Sequence, residues 1–134
     1  MRRAMNRLLT CTAVIEAATG LALMAAPFVV VRLLLGSEIS GASIALGRVA
    51  GLGLLSLGIA CWPGRDPAGK TAPAFRAMLT YNSLATLYLL YIGICREWVG
   101  PLLWPAIALH AAMTVWCVAS IKAGATDSSS QALE

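Results

Sequence analysis

LLTCTAVIEAATGLALMAAPFVVV, residues 8–31, decides the fold. At about 1.5 Å of rise per helical residue, a run of this length crosses the roughly 30 Å of hydrocarbon in a bilayer. Only Glu16, and Pro27 near its end, interrupt it, and Arg7 and Arg32 bound it. The apolar continuation over 28–35 reads as a helix end or an interfacial segment. Three further runs of the same kind cover about 42–62, 74–94 and 99–121. The second stops at Pro63-Gly64-Arg65-Asp66-Pro67, whose prolines and glycine cannot extend a helix, the third at Arg96-Glu97 and the fourth at Lys122.

Composition points the same way. With 59% hydrophobic residues, 12% charged and a mean hydropathy of +0.78, a chain of 134 residues cannot enclose its apolar surface in a water-soluble globule. The expectation is an all-α integral membrane four-helix bundle over 1–122, followed by a disordered polar tail over 123–134 with the composition Thr-Asp-Ser-Ser-Ser-Gln. The opening Met-Arg-Arg-Ala-Met-Asn-Arg and the pair Ala25-Ala26 share features with a secretory signal. A signal core is usually about 7–15 uninterrupted apolar residues, so a longer run with Glu16 at its middle fits an uncleaved first span.

Basic residues set the expected orientation, because cytoplasmic loops are enriched in Lys and Arg. An N-terminus inside places Arg2, Arg3, Arg7, Arg65, Lys70, Arg76 and Lys122 on the cytoplasmic side, against Arg32 and Arg96 outside. Both termini are then cytoplasmic, and the net charge of +4 reports topology rather than nucleic-acid binding. Trp62, Trp98, Trp104, Tyr88 and Tyr91 fall mostly toward span ends, as interfacial anchors do.

In lipid, helices associate through close packing of small residues and through interhelical hydrogen bonds. Gly47 and Gly51 form a GxxxG pattern that Gly58 continues on the same face. Ala13, Ala17 and Gly20 make a comparable stripe on the first span, and Ala108 with Ala112 on the fourth. Packing within the bundle is the expected use of these stripes, with a homo-oligomer interface as the other.

Each span also carries one strongly polar residue: Glu16, Arg48, Asn82 and His110. Such residues are costly in hydrocarbon and normally face a bundle interior or a cavity. Glu16 and His110 count to mid-membrane, Asn82 lies nearer the cytoplasm, and Arg48 falls in the outer half. The rise between Glu16 and Arg48 is on the order of 7–8 Å, a gap an extended arginine reaching for a glutamate can bridge. The expected cluster is therefore a Glu16–Arg48 ion pair with Asn82 and His110 hydrogen-bonded beside it. Three uses stay open: a structural pair fixing helix register, a polar pocket for a quinone or lipid-like ligand, or a protonatable Glu16 that couples proton movement to transport.

Cys11, Cys61, Cys95 and Cys117 are isolated, without the C-x-x-C pairing that thiol oxidoreductases use. Cys95 counts to the outer face and the other three to the inner face, where thiols stay reduced. A single histidine excludes bis-histidine haem ligation within one chain, and no metal-ligand spacing, P-loop or dinucleotide fingerprint occurs. Nothing in the sequence names a cofactor, and no catalytic residue stands out.

The stretch Glu16-Ala-Ala-Thr-Gly-Leu-Ala-Leu-Met-Ala-Ala-Pro27, then Leu33-Leu-Leu-Gly36, then Gly47-Arg48-Val-Ala-Gly51-Leu-Gly53 through Gly58 to Trp62, resembles the small four-helix DoxX-like membrane proteins of bacteria. That resemblance implies a place in the bacterial inner membrane and a role as an accessory or partner subunit of a membrane complex. Val14-Ile15-Glu16-Ala17 also resembles the first helix of small multidrug transporters, four-helix proteins with one membrane-embedded glutamate. Those proteins carry almost no other intramembrane charge, so Arg48 departs from their pattern. The expected function is a binding or accessory subunit with an intramembrane polar pocket, and the alternative is a proton-coupled small-molecule transporter.

Overall fold

The computed structural model describes residues 2–62 and 71–131, so the turn expected at 63–67 and the last residues, 132–134, lie outside it. Among the described residues there are five helices and no strand: α1 (Arg2–Ala25), α2 (Pro27–Leu35), α3 (Ala42–Ala60), α4 (Thr71–Cys95) and α5 (Leu103–Gln131). Four stretches of helix, Asn6–Ala25, Ala42–Ala60, Pro73–Cys95 and Leu103–Ile121, are long and apolar enough to cross a membrane. Their outward faces carry apolar side chains such as Leu46, Ile59, Leu87, Ile94 and Val115, all exposed.

The first run differs from the expected single span over 8–31. It breaks at Ala26, whose φ of −143° and ψ of 65° leave the helical region. The residue before a proline is pushed out of the α conformation, and Pro27, lacking an N–H, is suited to the first position of a new helix. Chain direction therefore changes at Ala26, and residues 27–35 become the separate short helix α2. That helix ends at Gly36, with φ 68°, a left-handed cap whose N–H donates to the Arg32 carbonyl at 2.9 Å. At the other end of the chain, α5 carries on past the apolar run and stays helical to Gln131, where composition reads as a disordered tail. Extending an existing helix adds a hydrogen bond per residue and avoids the unfavourable nucleation step.

The helices pair as α1 with α3 and α4 with α5, and the two pairs touch each other more lightly. The α1–α3 contact is backbone on backbone. A Cβ placed on Gly51 would lie 2.7 Å from the Gly20 carbonyl oxygen, and one on Gly58 would lie 2.7 Å from the carbonyl of Ala13. Gly47 leaves room for Pro27, whose Cβ would stand 2.9 Å from a Cβ at that position. Ala108 and Ala112, the small pair on α5, point outward instead. The inward face of α5 is Leu103, Ile107, Met113 and Cys117, a bulkier set that keeps its neighbours farther off.

Two apolar nodes hold the helices together, the first joining the two pairs and the second fastening α2 to α4 and α5. One gathers Leu8, Leu9 and Ala13 of α1, Cys61 after α3, Phe75 and Met78 of α4, and Cys117 of α5. The other joins Ile92, Leu103 and Ile107, with Leu35 and Leu89 packed on them. Backbone hydrogen bonds reinforce the second: Gly100 donates to Leu34 O at 3.1 Å and Leu102 to Leu33 O at 2.8 Å. The α4–α5 connection is thereby stitched to the end of α2.

These contacts predict a sharp contrast between glycines of the same helix. Gly51→Leu must force α1 and α3 apart, and overpacking of this kind costs about 1–3 kcal/mol or more. Gly53, with nothing within 4 Å of its Cβ position, should accept alanine without loss. Thermal unfolding of the two variants in detergent checks this, and equal stabilities would contradict the close approach.

Candidate functional site

Most polar side chains of the bundle are satisfied within their own helix. The hydroxyls of Thr12, Ser56, Thr86 and Thr114 each donate to a carbonyl one turn back, at 2.7–2.9 Å. Four residues behave differently: Glu16, Tyr81, Asn82 and His110 hydrogen-bond between helices, and they meet where α1 faces α4 and α5.

Glu16 is 2% exposed and Asn82 1% exposed. Glu16 lies roughly a quarter turn from the Ala13, Ala17 and Gly20 stripe, at about 100° per residue, so the stripe's contact with α3 turns its carboxyl toward α4 and α5. The Tyr81 hydroxyl donates to that carboxyl. On α4, the Asn82 Nδ2 donates to Met78 O at 2.9 Å, which orients the amide and presents Oδ1 to α5. Across the gap His110 Nδ1 stands 2.8 Å from Asn82 Oδ1. A carbonyl oxygen can only accept, so Nδ1 carries the proton, and in the neutral ring Nε2 is left with a lone pair. The Tyr81 and His110 rings meet edge to face, with centroids 5.7 Å apart and an interplanar angle of 79°.

Arg48 is not part of this group. It is exposed, and among the described residues the one ion pair is Arg32–Glu38, at 3.8 Å on the surface. The expected Glu16–Arg48 pair is therefore corrected. Depth along the membrane normal allows it, but rotation about the helix axis does not. With Gly47, Gly51 and Gly58 turned onto α1, residue 48 points about 100° away from that contact. Among the described residues, Glu16 consequently has a tyrosine beside it and no Lys or Arg paired with it. Tyr81 itself is the residue that sequence reasoning passed over. Its signal was a tyrosine in the middle of a span, away from the interfacial belt, next to the one asparagine of that helix.

Glu16, Tyr81 and His110 form one end of a cavity of about 780 Å³ between the two helix pairs. The rest of its wall is almost entirely apolar, including Leu23 of α1, Val30 and Leu34 of α2, Leu54 of α3, Ala85 of α4 and Ala106 of α5. The α2 helix thus closes the cavity on one side. Leu84, Tyr88, Leu102 and Leu109 both line the cavity and face outward, which opens it sideways toward the apolar exterior. A volume of this size is that of a pocket for a small organic molecule, and its mixture of apolar wall with a few convergent polar groups is that of a binding site.

The cysteines stand apart. Cys61 and Cys117 are buried in the apolar node, Cys11 and Cys95 are exposed, and all four are free thiols. Among the described residues no three His, Cys, Asp or Glu side chains converge in a way that could hold a metal ion. No family model, curated protein or solved structure matches the chain.

The site predicts that Arg48 and Glu16 act independently. Arg48→Gln should change stability by no more than about 0.5 kcal/mol, as for most surface substitutions. Asn82→Leu should cost about 1–3 kcal/mol, because it strands the His110 N–H in an apolar interior. In a double-mutant cycle, Glu16→Gln with Arg48→Gln should be additive. A coupling above about 1 kcal/mol would mean that the two side chains meet.

Proposed function

We propose that this protein is a multi-pass subunit of the bacterial inner membrane that binds a small amphipathic molecule, quinone or lipid-like, in the cavity between its helix pairs. The observation that carries this reading is the cavity itself: an apolar chamber, open sideways, whose only concentrated polarity is the Glu16, Tyr81 and His110 end. An apolar body would lie along α2 and α3, and a polar head would sit at the buried cluster. In this placement the apolar outer faces contact lipid, and the Lys and Arg distribution sets both termini in the cytoplasm. The DoxX-like pattern of the first two spans supports a subunit that delivers or positions its ligand for a membrane partner, or for a second copy of itself.

A second reading has one observation in its favour. Glu16 faces the cavity, and among the described residues no Lys or Arg pairs with it, so its carboxyl is free to gain and lose a proton as a cargo moves. A proton-coupled small-molecule transporter would use Glu16 in this way.

The two readings separate in proteoliposomes and by native mass spectrometry. Under the binding reading, protein extracted in mild detergent carries a small apolar molecule that Ala85→Trp, which fills the cavity, removes. Under the transport reading, Glu16→Gln inserts normally and abolishes proton-coupled flux. Protein with no bound molecule, and unchanged by Glu16→Gln, Asn82→Leu and Ala85→Trp in both assays, would leave neither reading standing.

A further inference from the structure

We infer that the cavity selects a neutral molecule whose head group donates a hydrogen bond, a lipophilic alcohol, over molecules of the same body that can only accept one. The inference rests on the binding reading above and follows from the acceptors that the polar end leaves unmatched.

The Tyr81 O–H is directed to Glu16. The Nδ1–H of His110 is used on Asn82 Oδ1 at 2.8 Å, and the Asn82 amide donates in turn to Met78 O at 2.9 Å. The acceptors are not used up. A neutral His110 keeps the lone pair of Nε2, and a carboxyl has about four acceptor sites, of which Tyr81 fills one. If Glu16 is ionised, it offers lone pairs alone. If it is protonated, it offers one O–H together with its carbonyl oxygen. A hydroxyl head, which donates and accepts, complements both states, whereas a ketone, quinone, ether or ester can only accept, from Thr19 or from a protonated Glu16, and leaves the Nε2 lone pair of His110 unmatched in either state. Thr19, one turn from Glu16 on the same wall, adds a hydroxyl that can match an alcohol in either direction.

The cavity's shape agrees with such a ligand. Its wall beyond the polar end is apolar, and its opening lies between side chains that face the exterior, so the molecule enters from the hydrocarbon and not from water. A site built to pair a buried hydroxyl rejects the analogue without it, because its own polar groups are then left unmatched.

Three probes with one isoprenoid body test this: farnesol, its methyl ether, in which a methyl group replaces the donated proton, and farnesal, which is acceptor-only without that added bulk. Each is titrated against the full-length protein in nanodiscs and read by native mass spectrometry. Farnesol should bind at least tenfold more tightly than the ether and the aldehyde. His110→Phe should erase that preference, and Ala85→Trp should prevent binding of all three. Equal affinity of alcohol and ether, or tighter binding of the aldehyde or of decylubiquinone, overturns the inference. The binding reading survives that result if Ala85→Trp still blocks the probes. Failure of Ala85→Trp to displace any probe, or no binding at all, overturns both. The alcohol and ether are compared on the unmodified chain, so the outcome stands whether or not His110→Phe folds.

Discussion

Helices α1 and α3 approach until backbone meets backbone, and the rest of the molecule is arranged around that contact. Gly20 of α1 sits against Gly51 and Leu55 of α3, and Gly58 sits against Ala13 and Ala17. An apolar exterior provides no hydrophobic drive for helices to associate in lipid, so dispersion between closely set backbones must supply it. The other pair, α4 and α5, meets through larger side chains, and even at Gly93 an added Cβ would find its nearest neighbours, Trp104 and Ile107, at an ordinary 3.5–3.6 Å. One apolar node joins the tight pair to the wider pair, a second fastens α2 to the wider pair, and the space left between the nodes is the cavity.

The polar cluster follows from the same geometry. Once the small-residue face of α1 is committed to α3, Glu16 has to turn toward the second pair, and its partners there are those α4 and α5 can present. Tyr81 and Asn82 are adjacent in sequence yet serve different groups, the hydroxyl for Glu16 and the amide for His110. A buried carboxyl without hydrogen-bond partners would cost several kcal/mol, so the hydroxyl beside it is a condition for keeping Glu16 inside at all. The short helix α2 belongs to this arrangement too. The bend at Ala26 carries the chain across the cavity, and its stitching to residues 100–102 holds it there.

Chemically, the cluster is rich in lone pairs and poor in uncommitted protons, because Tyr81 and His110 spend theirs on neighbours of another helix and Asn82 donates to Met78 O of its own. This distinguishes it from the hydroxyls of Thr12, Ser56, Thr86 and Thr114, which are closed onto their own helices. It also explains why the cysteines, spread between the apolar node and the exterior, do not contribute to it.

Much of this protein was legible in its sequence. Apolar run length and charge placement yield four spans, because the distance across hydrocarbon and the rise of a helix are fixed. The glycines of the second run announced a close helix contact, since only the absence of a Cβ permits one. Glu16, Asn82 and His110 stood out as interior residues because polar groups in apolar helices are costly. Other features were decided only by tertiary structure. Whether Arg48 meets Glu16 depends on rotation about the helix axis, which depth along the membrane normal does not constrain, and the glycine contact turned Arg48 outward. Tyr81 became a partner, the 8–31 run split at Ala26, and a cavity opened beside the cluster. Sequence sets how far along an axis each residue lies, and only packing between helices sets which way it faces.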